Sequence, residues 1–229
     1  VRNRIRLTVI NDNESGPGLL NSWGWSIHVS TDKWEALFDA GSEPGIIRYN
    51  STKLGVSLSN ISFAFLSHHH GDHSGGFPYI AAIKPGLRVY VPPGPVEYLS
   101  EMGLRPVVIT KPVKIREDVW STGPLRSWFI KEHSMIVEVS DDEVLVIVGC
   151  SHPGIDRIVD EAIRITGKKI HMVIGGFHGP PREALEKIAQ KSEIICPAHC
   201  SGDYAKAFLK KSYPGKYCEV RTGSVIEIN

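Results

Sequence analysis

Glutamine occurs once in 229 residues, at Gln190, beside many Lys, Arg and Glu, a scarcity of thermolabile amides that fits a thermophilic source. Cysteine is sparse too. Cys150, Cys196, Cys200 and Cys218 follow no zinc-finger spacing and are expected as buried thiols, the alternatives being a redox or metal role for Cys200, or a Cys200 to Cys218 disulfide. No apolar run approaches the roughly 18 residues that a membrane span needs. The N-terminal Val1-Arg2-Asn3-Arg4 leads into a short strand rather than a signal-peptide core, so a soluble, cytoplasmic protein with no membrane partner is expected. Neither sign of charge dominates: Lys+Arg number 26 against 25 Asp+Glu, for a net charge of +1. With no long basic run, general attraction to nucleic acid or anionic lipid is excluded.

What is present is enough apolar sequence for one well-buried domain, 41% hydrophobic against 22% charged. One domain over 1–229 is expected. Strands are predicted at 4–10, 25–30, 34–38 and 61–66, with a helix at 45–54 and another after Gly75. Short strands follow at 87–91 and 106–109, with β segments up to 119–121. The second half predicts strands at 135–140, 143–148, 169–174, 193–196 and 224–228, with helices at 155–166, 182–190 and 204–211. Asp141-Asp142 is placed at a hairpin turn. The loop 11–21 is long and polar, a kind that borders a site or is mobile. Such alternation implies an α/β chain.

The chemistry concentrates in Ser67-His68-His69-His70-Gly71-Asp72-His73-Ser74-Gly75-Gly76, immediately after the apolar 61–66 strand. His68 begins where that strand ends, and Ser74-Gly75-Gly76 is expected to open the next helix. In an extended or turning loop, residues two apart point the same way, so His68 and His70 suit one ion while Asp72 and His73 turn toward another. Three later strands each lead into a small-residue loop with one histidine, followed by a helix. These are Gly149-Cys150-Ser151-His152-Pro153-Gly154, Gly175-Gly176-Phe177-His178-Gly179-Pro180 and Pro197-Ala198-His199-Cys200-Ser201-Gly202. Brought to one sheet edge, they would complete a ligand set. The helix starts expected at Gly154, Pro180 and Gly202 add free backbone N–H groups suited to an anion.

The motif His68-x-His70-x-Asp72-His73, with His152, His199 and Leu37-Phe38-Asp39-Ala40-Gly41, resembles the metallo-β-lactamase superfamily over essentially the whole chain. The later loops are most similar to small metal-dependent hydrolases that include the archaeal dihydropterin–ribofuranosylaminobenzene phosphate synthases. The resemblance implies an αββα sandwich of two mixed sheets with helices outside. It implies that His68, His70 and His152 hold one divalent ion and Asp72, His73 and His199 another, with Asp39 accepting hydrogen bonds that steady the ligand loops. The ions would be zinc, one or two per chain, with manganese or iron as alternatives. Two departures stand out: Ser22-Trp23-Gly24 replaces a frequent Glu-His before the glycine, and His178 stands where the superfamily has a bridging aspartate. An imidazole cannot bridge, so His178 binds a single ion or donates a hydrogen bond beside it.

The function implied is hydrolysis of a small anionic ester or phosphorylated substrate by a metal-activated water, with Asp72 orienting the water. Two dications with one carboxylate leave the site near +3, which favours anions. Trp23, Trp128 and Ser201 are candidate substrate contacts, the tryptophans for a flat ring. The alternative reading is a dihydropterin transferase of methanopterin-type cofactor biosynthesis; a third is a metal-bound sensor without turnover. A nuclease would be expected to carry a basic arm or inserted domain. A diiron oxidoreductase would resemble His-x-Glu-x-Asp-His with a flavin domain, and His70 occupies the glutamate's place.

Overall fold

Apolar side chains in short β-branched and aromatic runs build the first compact unit, Asn3–Ile109 with Arg221–Asn229, in the computed structural model, which describes residues 2–229. Its elements are β1 (Ile5–Asn11), β2 (Ser26–Thr31), β3 (Glu35–Phe38), α1 (Pro44–Lys53), β4 (Phe63–Phe65), α2 (Gly71–Ser74), α3 (Phe77–Ile83), β5 (Arg88–Val91), α4 (Glu97–Glu101) and β6 (Arg105–Val108). The C-terminal strand Val225–Ile228 pairs antiparallel with β1 at the edge of a seven-stranded mixed sheet, in which β3 to β6 run parallel. Alternation along a strand sorts the side chains. Ala64 packs with Ile47, Phe77, Ile80 and Leu99 against the helices, while its neighbours Phe63 and Phe65 meet Trp34 and Phe38. The long polar loop after β1 is pinned: buried Asn50 of α1 donates to the carbonyls of Ile10 and Leu20 at 2.8 and 2.7 Å and accepts from Leu20 N–H at 2.9 Å.

The second unit covers Thr110–Val220, with Arg2. It comprises β7 (Val113–Arg116), β8 (Val119–Ser121), β9 (Leu125–Ser127), β10 (Ile130–Glu132), β11 (Met135–Glu138), β12 (Glu143–Val148), α5 (Ile155–Thr166), β13 (Lys169–Gly176), α6 (Arg182–Lys191), β14 (Ser192–Ala198) and α7 (Asp203–Ser212). A six-stranded sheet runs β14-β13-β12-β11-β8-β7, with β12, β13 and β14 parallel. Ile155, Ile158, Val159 and Ala162 recur at helical spacing and bury one face of α5 against Val144, Val146 and Val148. Each of the large side chains contributes roughly 1.5–3 kcal/mol by burial. Gly167 at φ 69° ends that helix in the left-handed conformation. Asp141-Asp142 sits at the turn between β11 and β12, as the sequence predicts.

Two local expectations change, and two elements were not expected. The segment after β4 is helical from Gly71, so Asp72 and His73 lie on a four-residue turn rather than in an extended loop before a helix at Ser74. Their backbone bends at once because Ser74 N–H and His73 N–H both bond to the His70 carbonyl at 3.1 Å. Helix α6 is capped by Pro181, one residue past Pro180. The β9–β10 hairpin and α4 carry too few alternating apolar residues to be read from sequence.

Candidate metal centre

In the first unit the chain delivers its donors from the end of β4. Three consecutive backbone bonds stitch that segment to the loop after β3: Asp39 N–H to the Phe65 carbonyl at 2.8 Å, Ala40 N–H to His73 at 2.7 Å, and Gly75 N–H to Gly41 at 2.9 Å. Gly75 and Gly76 permit this approach. A Cβ on either would stand 2.0 Å from the carbonyl oxygen of Ser42 or Ala40. Asp39, wholly buried, is the hub: it accepts the Ser67 N–H and hydroxyl, each at 2.7 Å, and the His73 Nδ1–H at 2.6 Å.

That hub dictates tautomers. The single hydroxyl proton of Ser67 goes to Asp39, so at 2.9 Å the Nδ1–H of His68 must donate to Ser67 Oγ, leaving His68 Nε2 with a lone pair. His73, held through Nδ1, turns Nε2 toward Asp72 and carries a proton there in the metal-free protein. His68 Nε2 lies 3.0 Å from His70 Nδ1, and His73 Nε2 lies 3.5 Å from Asp72 Oδ2. The rings of His68 and His73 are centred 4.2 Å apart. Burial alone would lower the His73 pKa, but the Asp39 and Asp72 carboxylates outweigh it and raise it to about 10. His69 turns elsewhere, donating from Nε2 to the Pro92 carbonyl at 2.9 Å; burial lowers its pKa.

In the second unit, three parallel strands each supply one histidine just past the strand end: His152 after β12, His178 after β13 and His199 after β14. Ser151, His178 and His199 all adopt left-handed backbone, with φ of 62, 53 and 48°. The loops are joined by Ser151 Oγ donating to the Gly176 carbonyl at 2.6 Å and Gly179 N–H to the Cys200 carbonyl at 3.1 Å. His152 and His178 rings are centred 4.3 Å apart. Donor atoms of Cys150, His178 and Cys200 lie within 4.8 Å of one another. The Cys200 thiol, bonded by Cys150 against its burial and near His199 and His178, has its pKa lowered to about 5.

Glu132, absent from the sequence reading, holds the His152 loop. Its buried carboxylate accepts the backbone N–H of Cys150, Ser151 and His152 at 2.7, 3.1 and 2.7 Å. A lone glutamate in a charged hairpin gives no sequence signal for that role. Ser201 is corrected as a substrate contact. Fully buried, its hydroxyl donates to Ala198 at 2.6 Å and accepts Phe177 N–H at 3.0 Å, so it fastens loops. The Cys200 to Cys218 disulfide is also overturned: all four cysteines are free, and Cys218 bonds with the Cys196 thiol, which burial pushes well up. Trp23 and Trp128 are exposed, at 63% and 92%.

In the first unit His68 and His73, with fixed Nδ1 partners, stand beside the Asp72 carboxylate, and in the second His178 stands beside the Cys150 and Cys200 thiols; both groups offer donors fit for a divalent metal. Residues 25–199 match the metallo-β-lactamase superfamily, and the chain belongs to it. It is 23% identical to the 7,8-dihydropterin-6-methyl-4-(β-D-ribofuranosyl)-aminobenzene-5′-phosphate synthase of Methanocaldococcus jannaschii, an alignment covering 85% of each chain. A crystal structure of a metal-dependent hydrolase of the β-lactamase superfamily superposes with a TM-score of 0.80 at 25% identity, over 98% of this chain and 99% of that one. Human tRNase Z, short form, shares the fold at a TM-score of 0.69 and 14% identity, over 98% and 99%. The metallo-β-lactamase fold expected from the sequence is thus the fold of this chain. Among the described residues, no helix is long and apolar enough to cross a membrane.

Proposed function

We propose that the protein is a cytoplasmic, metal-dependent hydrolase of a small anionic ester or phosphorylated substrate, working as a single domain over its whole length. His68, His70 and His152 would hold one ion and Asp72, His73 and His199 a second, with His178 beside them as a single-ion ligand or a hydrogen-bond donor. The observation that carries the reading is the Asp39 hub, which leaves His68 and His73 presenting Nε2 beside His70 and Asp72. A family match that runs through both units supports the single domain. Zinc is the ion favoured, manganese or iron the alternatives.

When bound, the ions would supply Lewis acidity and a water acidified to a pKa of about 7. The chain's own residues do the rest. Asp72, half-buried, would orient the attacking water; Asp39 keeps the His73 ring from turning, and Glu132 holds the backbone of the His152 loop. Asp72 is the sole carboxylate of the proposed ligand set, so little negative charge opposes an anionic substrate.

A second reading, a dihydropterin transferase that displaces pyrophosphate from a pterin, is favoured by the likeness to the archaeal synthase. One experiment addresses both. Metal content is measured on protein purified without added metal, and phosphodiesters, lactones, thioesters and a pterin pyrophosphate are screened for turnover. His68→Ala should abolish the activity found while leaving the melting temperature nearly unchanged; turnover that survives it would overturn the metal mechanism.

A further inference from the structure

The four free cysteines fall into two pairs with different surroundings. Cys196, wholly buried on β14, hydrogen-bonds with Cys218. Among the described residues, neither of these belongs to a cluster of three metal-donor side chains. Cys150 and Cys200 are placed otherwise. Cys150 lies just past β12 and Cys200 directly follows His199 past β14, and their sulfurs lie within 4.8 Å of each other and of a ring nitrogen of His178. All three residues belong to the second unit. A tetrahedral ion bound at about 2.3 Å to sulfur and about 2.0 Å to nitrogen sets its donors about 3.5–3.8 Å apart, so these three need close by at most about 1.3 Å to share one.

Backbone bonds hold the three loops in that arrangement. Cys150 N–H is fixed on Glu132 at 2.7 Å, the Cys200 carbonyl accepts Gly179 N–H at 3.1 Å, and Gly176 N–H donates to the Gly149 carbonyl at 2.9 Å. The Cys200 thiol is directed across the cluster, toward the Cys150 carbonyl at 3.7 Å. Gly176 leaves the room this requires: a Cβ there would stand 2.7 Å from Cys200 Sγ and 3.2 Å from Cδ2 of the His199 ring. His178 is exposed and Cys200 half-buried, so the cluster is open to an ion from solvent. A pair of thiols that only packs needs no imidazole at the same point, as Cys196 and Cys218 illustrate.

We propose that Cys150 and Cys200 are metal ligands, and that with His178 they form a site of two sulfurs and one nitrogen for a borderline-soft divalent ion such as zinc. The proposal rests on the metal-dependent hydrolase reading for the presence of an ion and deepens it. His178 becomes a ligand rather than a hydrogen-bond donor, and two sulfurs join a donor set that is otherwise imidazole and carboxylate. Each sulfur binds as thiolate and gives its proton to solvent. Two thiolates offset the double charge of the ion they hold, so the pull on an anionic substrate is left to the other ion.

The test loads metal-free protein with cobalt(II), a spectroscopic stand-in for zinc whose sulfur ligands give a near-ultraviolet charge-transfer band that nitrogen and oxygen ligands do not. In the unaltered protein the band should grow to a plateau as cobalt is added. Cys150→Ser and Cys200→Ser should each lose part of it and the double variant all of it, while Cys218→Ser keeps it whole. Each of the first two should also bind zinc about tenfold or more weakly in chelator competition, the scale on which even an outer partner of a ligand matters. A second measurement needs no variant and so does not depend on one folding: zinc should slow alkylation of Cys200 by iodoacetamide and leave Cys218 reacting at its metal-free rate. No cobalt bound, cobalt bound without the band, a band that survives the double variant or vanishes in Cys218→Ser, or Cys200 alkylation untouched by zinc would each overturn the proposal. The substrate screen, run on the same samples, reports on the hydrolase reading separately. Turnover with a sulfur-free cobalt spectrum sinks the thiolate site alone, and a sulfur band without turnover counts against the hydrolase alone.

Discussion

The two units assemble their histidines in opposite ways. In the first, His68, His70, Asp72 and His73 come from one stretch of chain, and a single carboxylate, Asp39, grips side chains within it. In the second, His152, His178 and His199 come singly from three parallel strand ends, and the carboxylate, Glu132, grips backbone. A contiguous run needs its rings oriented, because backbone proximity is already given. Dispersed histidines need their loops placed, and a carboxylate on consecutive N–H groups does that with little regard to side-chain identity.

Removing each carboxylate should expose that difference. Asp39→Ala strands a buried hydroxyl, an N–H and an imidazolium together, and should cost about 3–5 kcal/mol in urea unfolding and abolish metal uptake. Unchanged stability would show that Asp39 is no hub. Glu132→Ala leaves three N–H groups that water can partly reach once the carboxylate is gone, so a loss of about 2–3 kcal/mol is expected. Metal content should fall with it, while binding by the first unit's run persists; equal loss of all bound metal in the two variants would erase the contrast.

Loop placement in the second unit can also be disturbed from beneath. A Cβ at Gly176 would lie 2.5 Å from the Gly149 carbonyl oxygen and 2.7 Å from Cys200 Sγ. Gly176→Ala should therefore destabilise by about 1–3 kcal/mol and shift the reactivity of Cys200 toward a thiol reagent. Unaltered labelling kinetics would mean that the loop gives way freely.

The smallest effect sharpens the first unit alone. The folded pKa of His73 is raised to about 10, whereas an unfolded histidine titrates near 6.5. In metal-free protein this pair therefore stabilises fully below about pH 6.5, and the contribution is lost as pH rises through about 10. An ion must displace the Nε2 proton, so apparent metal affinity should rise about tenfold per pH unit between pH 7 and 9 for one proton released. Chelator competition at three pH values measures it, and a flat profile would show that His73 does not give up a proton to metal.

Much of this was legible in the residues. The helix at 155–166 coincides with α5 because its apolar spacing, N-terminal glycine and Gly167 agree. The histidine-bearing loops after β12, β13 and β14 stand where apolar runs end in small residues. The turn at Asp72 escaped because a histidine-rich run has no hydrophobic period, and its bend depends on the His70 carbonyl. Ser201 misled because a hydroxyl beside a histidine looks the same in sequence whether it faces a ligand or a neighbouring carbonyl.

Residue type and spacing along the chain determined the elements, the family and the candidate donors, since these depend on short-range periodicity and on chemistry carried by each side chain. Tertiary structure alone decided which nitrogen each histidine presents, that Cys218 meets Cys196, and that Glu132 holds the His152 loop from a hairpin 20 residues away. It also decided that Trp128 stands strained and exposed at the hairpin's tip. Those outcomes turn on distances of about 3 Å between groups remote in sequence, and hydrogen-bond geometry that specific is set by packing, not by local pattern.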